Sequence, residues 1–222
     1  MLHFHVMDGK IVKKIRDSGV IAVLVVDDAE NAVPLAKALL RGGITSIELT
    51  LRTPAAFDAL KNIKNEAPEI NAGLGTILTQ EQVRLAKEAG AAFGVAPGYN
   101  PNTGDTAAIY HFPFIPGVST ASEIEAAYSN GFKMLKLFPA ESLGGLSYLK
   151  NVNAPYAHLG IRYVPLGGVT AGNLKAYLES ELVLAVGGSW LAPRDLINDR
   201  NWDQITRNCE DAMKIVREVR EK

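Results

Sequence analysis

Two rhythms of apolar positions alternate along this chain. Short runs rich in Val, Ile and Leu are followed by longer segments whose apolar residues recur every three or four positions, the signatures of buried strands and amphipathic helices. Residues 10–17 read as a short helix closed by Ser18-Gly19. Residues 20–26 are the first strand, and Asp27 and Asp28 are N-cap candidates for a helix running through Arg41. Residues 46–50 form the second strand, with Thr53-Pro54 opening the next helix. Residues 70–76 form the third, and Thr79 with Gln82 has the spacing of a capping box. The fourth strand covers 93–97, with a short helix from Asn100-Pro101 to Tyr110, and the fifth covers 112–118, with a helix over 120–130. The sixth lies within 132–140, with a helix near 146–151. The seventh covers 162–168, with a helix over 171–180. The eighth covers 182–188, and a long polar helix over 201–221 closes the chain.

Strands spaced by about 23 residues are βα units with short loops. Eight in succession predict an α/β fold of one domain, a closed (β/α)₈ TIM barrel over 1–222. A tail and helix (1–19) precede the first strand. A doubly wound open sheet is the alternative. It would more often carry a Gly-rich dinucleotide fingerprint after the first strand, which this chain lacks.

Composition narrows the function classes. The 222 residues are 47% hydrophobic and 21% charged, an ordinary globular balance. Lys and Arg total 23 against 24 Asp and Glu, so charge makes no case for nucleic acid or an anionic membrane. Cys209 stands alone, which suits a reducing cytoplasm. The N-terminus lacks the basic and apolar regions of a signal peptide, and no apolar run would span a bilayer. His3 and His5 fall in the tail and His111 and His158 before strands. No metal-binding spacing is present, so the expectation is no metal.

Candidate chemistry collects at the strand ends. In the run Phe132-Lys133-Met134-Leu135-Lys136-Leu137-Phe138-Pro139-Ala140, alternation puts Met134, Lys136 and Phe138 on one face and Leu135 and Leu137 on the other. Both faces are apolar, so Lys136 belongs to an interior. Burial disfavours an ammonium, and a neutral amine is a nucleophile that forms a Schiff base with a carbonyl. The alternative is a strand-end lysine whose amine reaches water. On the second strand Ile47 and Leu49 suit the helix side, so Glu48 points inward, either as a general acid/base or as a structural ion-pair partner. Arg52 follows at the mouth, where a guanidinium matches a carboxylate or phosphate unless it is merely a surface arginine. Thr76 ends the third strand and offers a hydroxyl. Pro97 and Pro116 shape the rim. Gly167-Gly168 and Gly187-Gly188-Ser189 end the seventh and eighth strands, where barrels build phosphate sites from backbone N–H groups.

Five motifs stand in order: Glu48-Leu49-Thr50-Leu51-Arg52-Thr53, Gly75-Thr76, Ile115-Pro116-Gly117-Val118-Ser119-Thr120, Lys136-Leu137-Phe138-Pro139-Ala140-Glu141 and Gly187-Gly188-Ser189-Trp190. Over roughly residues 10–215 the chain resembles the 2-keto-3-deoxy-6-phosphogluconate aldolase / 4-hydroxy-2-oxoglutarate aldolase family. The resemblance implies a cofactor-free class I aldolase on a (β/α)₈ barrel, usually a cytoplasmic homotrimer acting on a small-molecule 2-keto acid. It implies Lys136 as the Schiff-base lysine and Glu48 as the acid/base. Arg52 and Thr76 would hold the pyruvate carboxylate, and Gly167, Gly168, Gly188 and Ser189 the phosphate. Pro97, Phe138 and Leu166 would line the substrate. Two positions depart from the family. Leu137 replaces a frequent phenylalanine on the helix side. Leu166 replaces the threonine of a Pro-Thr-Gly-Gly motif, which bears on the choice among sugar-acid substrates. A cofactor-free phosphosugar isomerase or epimerase, or a non-catalytic phosphometabolite-binding barrel, suits the same scaffold, and neither forms a covalent adduct with pyruvate.

Overall fold

The computed structural model describes residues 9–221. Helix α1 (Gly9–Ser18) leads into β1 (Val20–Leu24), and β/α units follow: α2 (Ala32–Arg41), β2 (Ser46–Thr50), α3 (Ala56–Glu66), β3 (Asn71–Gly75), α4 (Gln80–Glu88), β4 (Gly94–Val95) and α5 (Pro101–Ile109). Strands β5 (Phe114–Ile115) and β6 (Gly117–Val118) precede α6 (Ala121–Ser129). Then come β7 (Met134–Leu137), α7 (Gly145–Asn153), β8 (Arg162–Pro165), α8 (Ala171–Leu178), β9 (Val186–Gly188), α9 (Arg194–Asn198) and α10 (Trp202–Arg220). Among these helices none is long and apolar enough to cross a membrane.

Among the described residues the strands pair in parallel. Six strands form one curled sheet in the order β5-β4-β3-β2-β1-β9, and three form another in the order β6-β7-β8. The single ring of eight strands expected from the spacing is therefore not what the ladders draw. The fifth strand divides at Pro116, which has no N–H to donate to a ladder, so β5 pairs with β4 while β6 pairs with β7. The eighth strand is shorter than residues 182–188. Its regular part is Val186–Gly188, and only a Tyr163–Val183 bridge joins it to β8.

Alternation sorts the core into two shells. Ile47, Leu49, Leu135 and Leu137 pack outward with helix residues such as Leu35, Leu39 and Leu60. Ile21, Phe93, Val95, Ile115, Met134, Val164 and Leu166 form an inner cluster, with Ile15 of α1 among them and Phe138 packed against it. The expected faces of the lysine strand hold: Met134 and Phe138 are inside, Leu135 and Leu137 outside.

Helix starts follow local chemistry. Thr79–Gln82 and Thr120–Glu123 are complete capping boxes. Asp28 caps a 3₁₀ turn at Ala29–Asn31 that runs into α2, while Asp27 turns away to accept from Arg194 and Asn198. Helix α3 begins at Ala56 rather than at Thr53-Pro54, because the Thr53 hydroxyl donates to the Val26 carbonyl instead of capping (2.5 Å). Helix α7 runs longer at both ends than residues 146–151, and α9 has no counterpart in the sequence reading. His3 and His5 lie outside the described residues.

Candidate active site

Glu48 sits in β2 between Val23 of β1 and Gly73 of β3 and is only 1% exposed. Room for its carboxylate comes from Gly75, where a Cβ would fall 1.9 Å from Glu48 Oε1. Lys136 lies in β7 between Gly117 and Val164 and is 5% exposed. The two side chains come from separate sheets and meet inside, with Lys136 Nζ 3.7 Å from Glu48 Oε1. Lys136 Nζ also lies 5.0 Å from the centre of the Phe138 ring, a cation–π distance when the amine is charged. A lysine and a glutamate so enclosed need each other or a ligand, since burying either charge alone is costly.

The other candidates lie at or just beyond the strand ends. Thr50 Oγ1 donates to the Leu24 carbonyl (2.9 Å) and accepts from Arg52 Nε (3.2 Å), which roots the exposed guanidinium at the ends of β1 and β2. Arg52 is thus tethered to Thr50. Thr76, one residue past β3, has a left-handed φ of 59°, a conformation costly for a β-branched residue. Pro97 stands on the rim, and its carbonyl lies 2.2 Å from where a Cβ on Gly117 would be.

The two glycine pairs differ. Gly167 and Gly168 follow β8 with φ of 90° and 87°, in a turn that only glycine enters easily. Gly187 and Gly188 lie within β9 and pair with Ile21 and Ala22, so the loop of the eighth unit starts at Ser189, not at the glycines. Leu166 fills the space over Gly187, with its Cγ 2.4 Å from a Cβ built there, and so links the last two strands. Trp190 does the same over Gly188, and its indole nitrogen is buried without a partner. Gly75, Trp190 and the pair Glu141 and Tyr177 are features that the sequence reading left without a role. Their only signals were position within motifs already noted and, for Tyr177, none.

A buried amine–carboxylate pair inside parallel strands, with a left-handed glycine turn after β8, suits a carbon–carbon lyase of the Schiff-base aldolase class. The chain belongs to the KDPG and KHG aldolase family, whose model matches residues 11–208. It is 38% identical over 208 residues to the 2-dehydro-3-deoxy-phosphogluconate aldolase of Haemophilus influenzae, covering 94% of this chain and 97% of that one. To the KHG/KDPG aldolase of Escherichia coli K12 it is 40% identical over 195 residues, covering 88% and 91%. Among solved structures it resembles the KDPG aldolase of Legionella pneumophila, in which pyruvate was captured as a covalent carbinolamine. The TM-score is 0.86 and the identity 36%, over 91% of this chain and 97% of that one.

Proposed function

We propose that this chain cleaves a 2-keto-3-deoxy-6-phospho sugar acid, or 4-hydroxy-2-oxoglutarate, to pyruvate and an aldehyde through an imine on Lys136. The aldehyde is glyceraldehyde 3-phosphate from the first substrate and glyoxylate from the second. The observation that carries the reading is the 3.7 Å approach of Lys136 Nζ to Glu48 Oε1 in a buried setting. A nucleophile and an acid/base within reach of one substrate carbon are what such a cleavage needs.

Lys136 Nζ, as the free amine, adds to the C2 carbonyl. The carbinolamine takes up one proton, returned when the imine is later hydrolysed, and loses water to give a protonated imine. Glu48 takes the C4 hydroxyl proton, and the C3–C4 bond breaks with its electron pair drawn into the imine. The aldehyde leaves. The remaining enamine takes back at C3 the proton that Glu48 holds, and water hydrolyses the imine to release pyruvate and regenerate the lysine. In this reading Arg52 and Thr76 bind the carboxylate. Gly167, Gly168, Gly188 and Ser189 take the phosphate. Pro97, Phe138 and Leu166 line the stretch between.

The same reading makes the fold one domain and a closed (β/α)₈ barrel. The split at Pro116 between β5 and β6 and the Tyr163–Val183 bridge support that closure at both seams. It makes the protein a cytoplasmic homotrimer. Exposed Leu78, Leu85, Ile109 and Tyr110, on α4, α5 and the turns beside them, support burial against another copy, and sedimentation velocity tests it.

The deciding experiment is borohydride reduction with pyruvate, read by intact mass and peptide mapping. An adduct on Lys136 is expected. An adduct on Lys133, or none, sinks the assignment.

A further inference from the structure

Glu141 ends the motif that begins at Lys136, yet the cleavage gives it no task. Its surroundings do. The Glu141 backbone N–H donates to the Gly167 carbonyl (3.0 Å), and its neighbour Ala140 donates to the Leu166 carbonyl (2.7 Å). The stem of the Glu141 side chain fills the underside of Gly168, where a Cβ would lie 2.5 Å from Glu141 Cβ and 2.6 Å from Cγ. Its carboxylate accepts a hydrogen bond from the Tyr177 hydroxyl. Tyr177 is on α8 and is 2% exposed. Burial, and after it the Glu141 carboxylate, push its hydroxyl well above tyrosine's ordinary range, so it stays a donor.

One turn earlier on α8, Asn173 Nδ2 donates to the Gly168 carbonyl (3.2 Å). Residues four apart share a helix face, so α8 grips the Gly167–Gly168 turn twice, directly through Asn173 and through Glu141 by way of Tyr177. The turn is left-handed at both glycines and has no side chains to hold itself. Glu141 also poses a problem. An untethered carboxylate beside a phosphate-binding turn would repel a phosphate dianion, and the Tyr177 hydroxyl fixes where that charge sits.

We propose that Glu141 and Tyr177 are a positioning pair for the Gly167–Gly168 turn that sets the preference for phosphorylated over unphosphorylated substrates. This rests on the reading of that turn as a phosphate site. Neither residue touches the reacting carbons. The pair acts through the turn, which is joined to the Lys136 strand by the two backbone bonds at Ala140 and Glu141.

The test compares Tyr177→Phe and Glu141→Gln with the wild type on a 2-keto-3-deoxy-6-phospho acid and on 4-hydroxy-2-oxoglutarate, with inorganic phosphate as competitor. Tyr177→Phe keeps the ring and deletes the donor. The ratio of kcat/KM for phosphorylated over unphosphorylated substrate should fall about tenfold, through KM, because a hydrogen bond to a charged group is lost. The Ki of inorganic phosphate should rise by a similar factor. Glu141→Gln still accepts from Tyr177 but carries no charge, so the ratio should stay at or above the wild-type value. A Tyr177→Phe ratio within about twofold of wild type, or an equal loss on both substrates, overturns the proposal. A Glu141→Gln ratio that falls as far as that of Tyr177→Phe overturns it too. If inorganic phosphate does not compete in the wild type, the phosphate reading fails and this proposal with it. Borohydride trapping on Lys136 would survive that failure and so separates the two.

Discussion

Gly75→Ala puts the placement of Glu48 to a direct test. A Cβ at residue 75 would lie 1.9 Å from Glu48 Oε1 and 2.4 Å from both Cγ and Cδ. Ordinary contacts between such atoms are about 3.5–4.0 Å, so the overlap exceeds about 1 Å at three atoms. Turning the carboxylate alone does not clear it, because Cγ clashes as well. Nor is β3 free to withdraw. Thr50 pairs with Gly75, and the Leu51 N–H donates to the Gly75 carbonyl (2.8 Å). Glu48 must leave its present position 3.7 Å from Lys136 Nζ. Overpacking of this kind costs about 1–3 kcal/mol. At about 2–4 °C per kcal/mol for a chain of this size, Tm should fall by several degrees. Activity should fall further, since about 1 Å of misplacement at a reacting group costs on the order of 10²-fold. The assay is pyruvate release, followed by coupled reduction to lactate, beside thermal unfolding. Gly172→Ala is the control, because its Cβ would meet only Thr170 Oγ1, at 3.7 Å. If Gly75→Ala lowers Tm as expected but keeps kcat within about threefold of wild type, the position of Glu48 does not matter to the chemistry and the acid/base role is refuted.

Glu48→Gln should lower kcat by about 10²–10⁴ if proton transfer is its task, and a near-wild-type kcat would leave it a structural partner of Lys136. Ser189→Ala should cost roughly 1.5–3 kcal/mol in kcat/KM with phosphorylated substrates and little with 4-hydroxy-2-oxoglutarate; equal losses on both would contradict the phosphate assignment. Leu166→Thr should raise selectivity for the gluco over the galacto epimer. A wild-type preference above about 10³, beyond what an apolar contact supplies, would show that discrimination lies elsewhere. Hydrogen bonds from Arg194, and after them Asn198, hold the Asp27 carboxyl down at about 2 from the usual 3.8. A depressed carboxylate stabilises the fold above the unfolded value and loses that contribution as pH falls through the folded one. The Tm difference between wild type and Asp27→Asn should therefore be full above about pH 5 and gone near pH 1–2, and a pH-independent difference would refute it.

Much of this was legible in the sequence because it rests on alternation. Period two alone put Glu48 and Lys136 inside and Leu135 and Leu137 outside, and the fold agrees. The Thr79 capping box was legible because its two hydrogen bonds join residues three apart. What stayed hidden depends on contacts far along the chain. Thr53 looked like a cap until the Val26 carbonyl came within reach, and Asp27 looked like one until Arg194 did. Tyr177 lies 36 residues from Glu141, and neither carries a periodic signal that predicts the other.

The glycines show where local reading stops and packing takes over. From sequence, Gly167-Gly168 and Gly187-Gly188 look like equivalent turns, yet only the first pair has left-handed backbone. The second pair lies in β9, an ordinary strand, and is there for space: Leu166 occupies the place of a side chain at Gly187, and Trp190 that at Gly188. Gly75 yields the same kind of space to Glu48, and Gly168 to Glu141. At four positions, then, the site is built by pressing a large side chain against bare backbone. This brings the strand ends close, and it ties the segment after the Lys136 strand to the turn after β8. A methyl group at any of the four would overlap the side chain packed there, so what reads in sequence as flexibility serves in the fold as close contact.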